Sequence, residues 1–294
     1  MKQPVADRAG NSAPPPLSSV RPAAKAAAAR LTLPFKRGLR RSVGQTMGAG
    51  TGSSIDFQDH RPYAPGDDPR HIDWQAYARS GQYLMKQYHE EVRPLADVVF
   101  DASPSMFLDE AKTRRSLELA AFSAESAMRA GAAVRIFSIS GTDVAVHEAQ
   151  TDWSLAWAAG SSVVPDLNRI PWRAASLRIW ISDLLHPVPP ETLLLPLLSG
   201  RGRGIILCPQ CPGESDPDWL GNTELEDCES GSLRDLRFDH QDMDRYRAAY
   251  RHHFGLWDEA SRRHGIPFAR VAADLPLIEA LSKECLASGA VELL

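Results

Sequence analysis

The pentapeptide Asp101-Ala102-Ser103-Pro104-Ser105 follows directly on the apolar run Asp97-Val98-Val99-Phe100. One carboxylate and two hydroxyls therefore leave the end of an expected buried strand together. Oxygen ligands, few of them charged, are the set that a hard divalent cation such as Mg²⁺ or Mn²⁺ takes. A second acidic strand end stands at Ser182-Asp183, after the apolar run Leu177–Ile181. In open α/β sheets ligands bind outside the carboxyl ends of the strands, so two neighbouring strands of this kind would place both carboxylates in one crevice. The expected ligands are the hydroxyls of Ser103 and Ser105, with Asp101 and Asp183 bound directly or through water. One coordination place is left for an acidic group from a partner. This reading makes the chain a metal-dependent binding module and not an enzyme.

Other chemistry fits the same residues less well. Asp101 would also serve as a cap for a helix starting near Ser105, since Asp and Ser accept bonds from free helix N–H groups. Asp101 as the nucleophile of a metal-dependent phosphohydrolase would want a second acid/base close by, and position 103 is Ser. Ser182, Asp183 and His186 lie close in sequence, but the Gly-x-Ser-x-Gly elbow of a nucleophilic serine is missing. Cys208-Pro209-Gln210-Cys211 has redox or zinc spacing, yet Pro212-Gly213 follows where a redox motif would open a helix. The cysteines are expected to be ordinary reduced thiols.

The elements that must position these groups alternate from Asp97 onward. Strands are expected at Val98–Asp101, Val134–Ile139, Leu177–Ile181, Gly204–Cys208 and Pro267–Val271. Between them, Leu117, Ala120, Ala121, Ala124, Ala127 and Met128 recur at helical spacing, and Gly131 ends that helix. Further helices are expected over Leu155–Ala159, Glu191–Leu198 and Leu277–Leu286. Met243, Tyr246, Tyr250, Phe254 and Trp257 form a stripe on a long one, read as core. Such alternation predicts an α/β fold with a doubly wound, mostly parallel sheet.

The first third of the chain differs. Residues 1–30 are rich in Ala, Pro and Ser and read as a disordered arm. Residues 31–96 form a smaller irregular or β segment ahead of the α/β domain at 97–294. The centre of that segment is Asp59-His60-Arg61-Pro62-Tyr63-Ala64-Pro65-Gly66-Asp67-Asp68-Pro69-Arg70-His71-Ile72-Asp73-Trp74, with a turn at Pro65-Gly66 and a strand over Gly81–Tyr88. Its charges suit a structural role, with Asp67 or Asp73 paired to Arg61, Arg70 or Arg79. Alternatively the block is a surface that a partner reads, through Arg61, Tyr63, Asp67, Arg70, Asp73 and Trp74.

Composition bounds the function. A formal net charge of −4 over 294 residues gives no electrostatic case for nucleic acid. No apolar run approaches the ~20 residues of a membrane helix, and the N-terminus lacks a secretory signal. A cytoplasmic location is the expectation.

The Asp-x-Ser-x-Ser pentapeptide resembles the metal-ion-dependent adhesion site, or MIDAS, of von Willebrand factor A-like domains, and Ser182-Asp183 resembles its second acidic loop. That family also uses a threonine from an intervening loop. Here Gly160-Ser161-Ser162 stands roughly where it belongs, so Ser161 or Ser162 would substitute. Without the threonine, a scaffold with a degenerate metal site is an alternative. The run from Arg61-Pro62-Tyr63 through Gly66-Asp67-Asp68, Arg70, Ile72-Asp73-Trp74, Ala78-Arg79, Lys86 and Glu90-Glu91 to the pentapeptide is similar to the bacterial DUF58 family. So are Ile181-Ser182-Asp183-Leu184, Glu226-Asp227-Cys228-Glu229-Ser230-Gly231 and His264-Gly265-Ile266-Pro267-Phe268. The resemblance runs from about residue 35 to the end. It implies a von Willebrand factor A-like, Rossmann-type domain and a partnership with AAA+ ATPases of the MoxR type, in a chaperone-like or assembly role.

Overall fold

Runs such as Val98-Val99-Phe100 and Ile179-Trp180-Ile181 are apolar on both faces, so they belong at the middle of a sheet covered on both sides. The computed structural model, which describes residues 16–35, 55–90, 93–147, 164–227 and 232–294, places them there. Along the chain the strands are β1 (Leu31–Thr32), β2 (Ile55–Pro62), β3 (Leu84–Glu90), β4 (Leu95–Asp101), β5 (Ala133–Ser140) and β6 (Asp143–His147). They continue with β7 (Leu177–Ile181), β8 (Arg203–Gln210), β9 (Gly221–Glu226), β10 (Leu233–Phe238), β11 (Phe268–Ala272) and β12 (Glu292–Leu293). Two compact units result: Met1–Arg37 with Pro94–Leu294, and Gly38–Arg93.

In the larger unit a six-stranded sheet has the order β11-β8-β7-β4-β5-β6. All neighbours are parallel except β5 and β6. The chain leaves β4 toward β5 on one side and later returns to β7 on the other. The carboxyl ends of β4 and β7 therefore flank the place where strand order reverses, the position where such sheets open a crevice. Phe100 pairs with Ile181, so Asp101 and Ser182 emerge side by side.

Alternation along β4 sends Val98 and Phe100 to one face and Val99 to the other. The first face packs the Glu110–Arg129 helix, through Leu117, Ala120 and Ala124, together with the segment from Leu277. The second packs Leu193, Leu194 and Leu197 of the Pro190–Leu198 helix, with Tyr250, Phe254 and Trp257 of the His240–His264 helix. Both long helices start at capped ends. Asp109 accepts from Lys112 N, and Asp239 and Asp242 form a reciprocal box. Gly265, at φ 65°, closes the second in the left-handed region. The last helix is interrupted, with a π turn over Leu281–Cys285.

The reading of residues 1–30 as a disordered arm is corrected for residues 17–28, while residues 1–15 lie outside the described residues. The helix Leu17–Ala28 forms in spite of Pro22, and buries Leu17, Val20, Ala24, Ala27 and Ala28 against the Glu110–Arg129 helix. Average composition hid this stripe. Alanine contributes little transfer energy alone, but its small size lets two helices approach closely. β1 then pairs antiparallel with β12, tying Leu31 to Leu293. β6 and the β9–β10 hairpin are further elements the pattern reading did not place. The expected helix at 155–159 lies outside the described residues.

In the smaller unit β2 and β3 pair antiparallel, with an irregularity between Phe57 and Asp59. The strand expected over Gly81–Tyr88 begins instead at Leu84. Gly81, at φ 69°, ends the Trp74–Ser80 helix. Alternation misled here because three of those residues form the turn out of a helix.

Candidate metal centre

Asp101 ends β4 with 0% exposure. Its Oδ1 accepts from Ser103 N at 3.0 Å. Its Oδ2 accepts from Ser182 Oγ at 2.6 Å and lies 3.0 Å from His186 Nε2. These contacts fix the carboxylate. Asp101 does not cap the long helix, whose cap is Asp109. Ser182 and His186 both contact Asp101 and so are not arranged as a serine–histidine–aspartate relay.

Asp183 follows on the neighbouring strand, and its backbone turn is strained. Leu184, directly after it, is buried at φ 61°, a region that costs a non-glycine residue of order 1–3 kcal/mol. Ser182 Oγ holds that turn by accepting from Leu184 N at 3.1 Å. Asp183 Oδ1 accepts from Leu185 N at 3.2 Å. The loop thereby directs Asp183 inward, and one ligand atom from each of Asp101, Asp183 and His186 falls within 4.8 Å of the others.

Ser103 and Ser105 complete the oxygen set. Their Oγ atoms are 3.1 Å apart. Two ligands at right angles on an ion with ~2.1 Å bonds stand ~3 Å apart, so this spacing suits one edge of a Mg²⁺ octahedron. The donor set of Asp101, Ser103, Ser105 and Asp183 thus fits a hard divalent cation. Ser161 and Ser162 lie outside the described residues.

Sequence reasoning missed Lys112 and Glu214. Lys112, in the first turn of the Glu110–Arg129 helix, is 2% exposed. Its Nζ donates to Asp183 Oδ2 at 2.7 Å and to Glu214 Oε1 at 2.6 Å. Burial alone would lower its pKa, but the two carboxylates outweigh burial and raise it. Burial likewise pushes the Asp183 carboxyl upward, and Lys112, with smaller help from His186 and Ser105, holds it below its ordinary range. Glu214 sits in the short Pro212–Ser215 helix, where its Oε2 accepts from Cys211 N at 3.0 Å. Two carboxylates, Asp183 and Glu214, therefore share one ammonium, while Asp101 beside them is held by Ser103, Ser182 and His186. A signal for Lys112 exists in the sequence: Lys112, Ser116, Ala120 and Ala124 form one i,i+4 row on the apolar face.

A cleft of about 550 Å³ opens over this group, with Ser105, Lys112, His186 and Glu214 in its lining and Trp219 and Tyr246 on its wall. Cys208 and Cys211 stand nearby as free thiols. Cys208 Sγ lies 3.5 Å from the Asp183 carbonyl oxygen and Cys211 Sγ 3.4 Å from Asp109 Oδ1. Burial, then Asp109, pushes the Cys211 thiol up to about 12. Burial pushes Cys208 up as well. Neither is activated as a nucleophile.

The charged block of the smaller unit forms its own network. Arg61 binds Asp67 through two 2.6 Å bonds, and Asp67 Oδ2 also accepts from Ala64 N. Asp68 pairs with Arg70, and Asp73 caps the Trp74–Ser80 helix while contacting His60 Nε2 at 2.8 Å. Tyr63 and Trp74 remain exposed, at 36% and 59%, beside the stacked pair Tyr77 and Tyr83.

Comparison with known proteins adds family context. The family described as "Protein of unknown function DUF58" matches residues 59–151, a stretch that contains both the Arg-Pro-Tyr block and the pentapeptide. An uncharacterized protein of Mycobacterium bovis is 27% identical over 233 residues, covering 71% of this chain and 72% of the relative. An uncharacterized protein of Mycobacterium tuberculosis matches to the same extent. Among solved structures, a conserved hypothetical protein BatB from Bacteroides thetaiotaomicron is similar at 12% identity and a TM-score of 0.34, covering 66% of this chain and 98% of that one. No helix among the described residues is long and apolar enough to cross a membrane.

Proposed function

We propose that this chain is a metal-dependent protein-interaction module, and not an enzyme, built on a von Willebrand factor A-like, Rossmann-type α/β domain. The observation that carries this reading is the convergence of Asp101, Ser103, Ser105 and Asp183 at the ends of two adjacent parallel strands. These four residues would hold Mg²⁺ or Mn²⁺, and the ion would supply the positive charge that an acidic side chain of a partner needs. The charges of the cleft support that requirement. Asp109, Glu214 and Asp274 line the cleft against the single ammonium of Lys112, which Asp183 and Glu214 already engage, so without a divalent ion an approaching carboxylate meets an excess of its own sign of charge. Asp101 has both oxygens engaged by Ser103, Ser182 and His186, which suits a fixed ligand better than an attacking nucleophile.

The family resemblance supports a MoxR-type AAA+ ATPase as the partner, in a cytoplasmic chaperone-like or assembly role. The test is binding of the full chain to the MoxR-type ATPase of the same genome, in Mg²⁺ and in excess chelator, for wild type and Asp101→Ala. Capture should need the ion and be lost in the variant. Equal capture in chelator would reject the proposal.

A further inference from the structure

We infer that Lys112 is a tethered cation that competes with divalent ions for Asp183, so that the site fills only when its ammonium withdraws to Glu214. The inference rests on the metal-binding reading above and names what controls that site.

Access gives the first argument. Ser105, Lys112 and His186 line the cleft, whereas Asp101 and Asp183 are 0% and 1% exposed. Lys112 and His186 contact those two carboxylates directly, at 2.7 and 3.0 Å. A cation entering from the cleft therefore meets the ammonium before it meets Asp183. Two positive charges on one buried carboxylate repel strongly, since interior sites screen charge far less than water does.

The second argument is the ammonium's other partner. A buried lysine bound to Asp183 alone would block the site outright, because displacing it would strand a charge. Lys112 already makes a 2.6 Å bond to Glu214. Glu214 is itself anchored: Oε2 accepts from Cys211 N, and its carbonyl accepts from Tyr246 Oη at 2.6 Å. Its side chain is 22% exposed, so solvent reaches the Lys112–Glu214 pair once Asp183 is given up. The geometry thus provides a second resting place for the ammonium without unfolding the helix that carries it. The consequence is a divalent affinity weaker than the four oxygen ligands alone would set.

The test is a Mn²⁺ titration of the full chain by calorimetry and electron paramagnetic resonance. It compares wild type, Lys112→Met, and the double variant Lys112→Met with Glu214→Gln, which keeps the wild-type net charge. Lys112→Met should bind Mn²⁺ at least tenfold more tightly than wild type, and the double variant at least threefold. If Lys112→Met does not fold, the charge-conserving double variant decides alone. Binding by wild type with equal or weaker affinity in the folded variants would overturn the competition while leaving the metal reading intact. No binding in any of them would end both. A lysine with a purely structural role would lower the melting temperature without raising the affinity.

Discussion

Lys112 Nζ lies 2.7 Å from Asp183 Oδ2, across 71 positions of sequence, with both side chains at 2% exposure or less. The pair joins the first turn of a helix to the end of a central strand, with Lys112 in the lining of the cleft and Asp183 buried behind it. Its partners, Glu214 on one side and the Asp101 group on the other, make every charge change here a measurable event.

Asp101→Ala should abolish saturable Mg²⁺ binding. It removes the one carboxylate that Ser103, Ser182 and His186 all fix. Thermal melts with and without 5 mM Mg²⁺ check this. Wild type should gain stability by ligand linkage, and the variant should show no shift.

Asp183→Asn should destabilise the protein by about 3 kcal/mol at neutral pH, read by urea denaturation, because it leaves Lys112 with one carboxylate in a buried setting. The pH dependence has a definite sign. The folded Asp183 carboxyl has a pKa below its ordinary 3.8. Its contribution is present above that value and is lost as pH falls through the depressed folded value. The acid limb of the stability curve should therefore be shallower in Asp183→Asn than in wild type. Parallel limbs would contradict the pairing.

Gly202→Ala should cost about 2–4 kcal/mol while leaving metal binding unchanged. A Cβ at Gly202 would stand 2.4 Å from Arg178 Cζ. That guanidinium is buried, bonded to the Pro196 carbonyl and Ser199 Oγ, and lies over the Trp172 ring. Any side chain here expels it. Chemical denaturation and a Mn²⁺ titration on the same preparation separate fold from site.

Acid should loosen the Ala64–Asp67 turn of the smaller unit. The Arg61 guanidinium holds the Asp67 carboxyl at about 2, helped by the Ala64 amide. The turn is held above the ordinary carboxylate range and released as pH falls toward 2. The protection factor of the Ala64 amide, its exchange measured by NMR relative to the intrinsic rate at each pH, should fall across that range in wild type. In Asp67→Asn that protection should already be low at pH 6.

The sheet was legible because its central strands are short apolar runs bounded by polar residues. Val98–Phe100 and Leu177–Ile181 carry that signal within a few residues, and the strands appear where it predicts. The strand-end groups Asp101, Ser103, Ser105 and Asp183 were legible for the same reason, since polar residues directly after a buried strand emerge at its rim. The Leu17–Ala28 helix was not. Its stripe is mostly alanine, and its worth depends on the helix it packs against.

The sequence by itself determined an alternating α/β domain with two acidic strand ends, because local periodicity and strand-end chemistry act within a few residues. Tertiary structure alone decided that those ends are neighbours, through the pairing of β4 with β7. It also decided that Lys112 and Glu214 reach the same point. Charges from separate elements meet only after the sheet order is set, and their energies depend on distance and burial, which chain order does not encode.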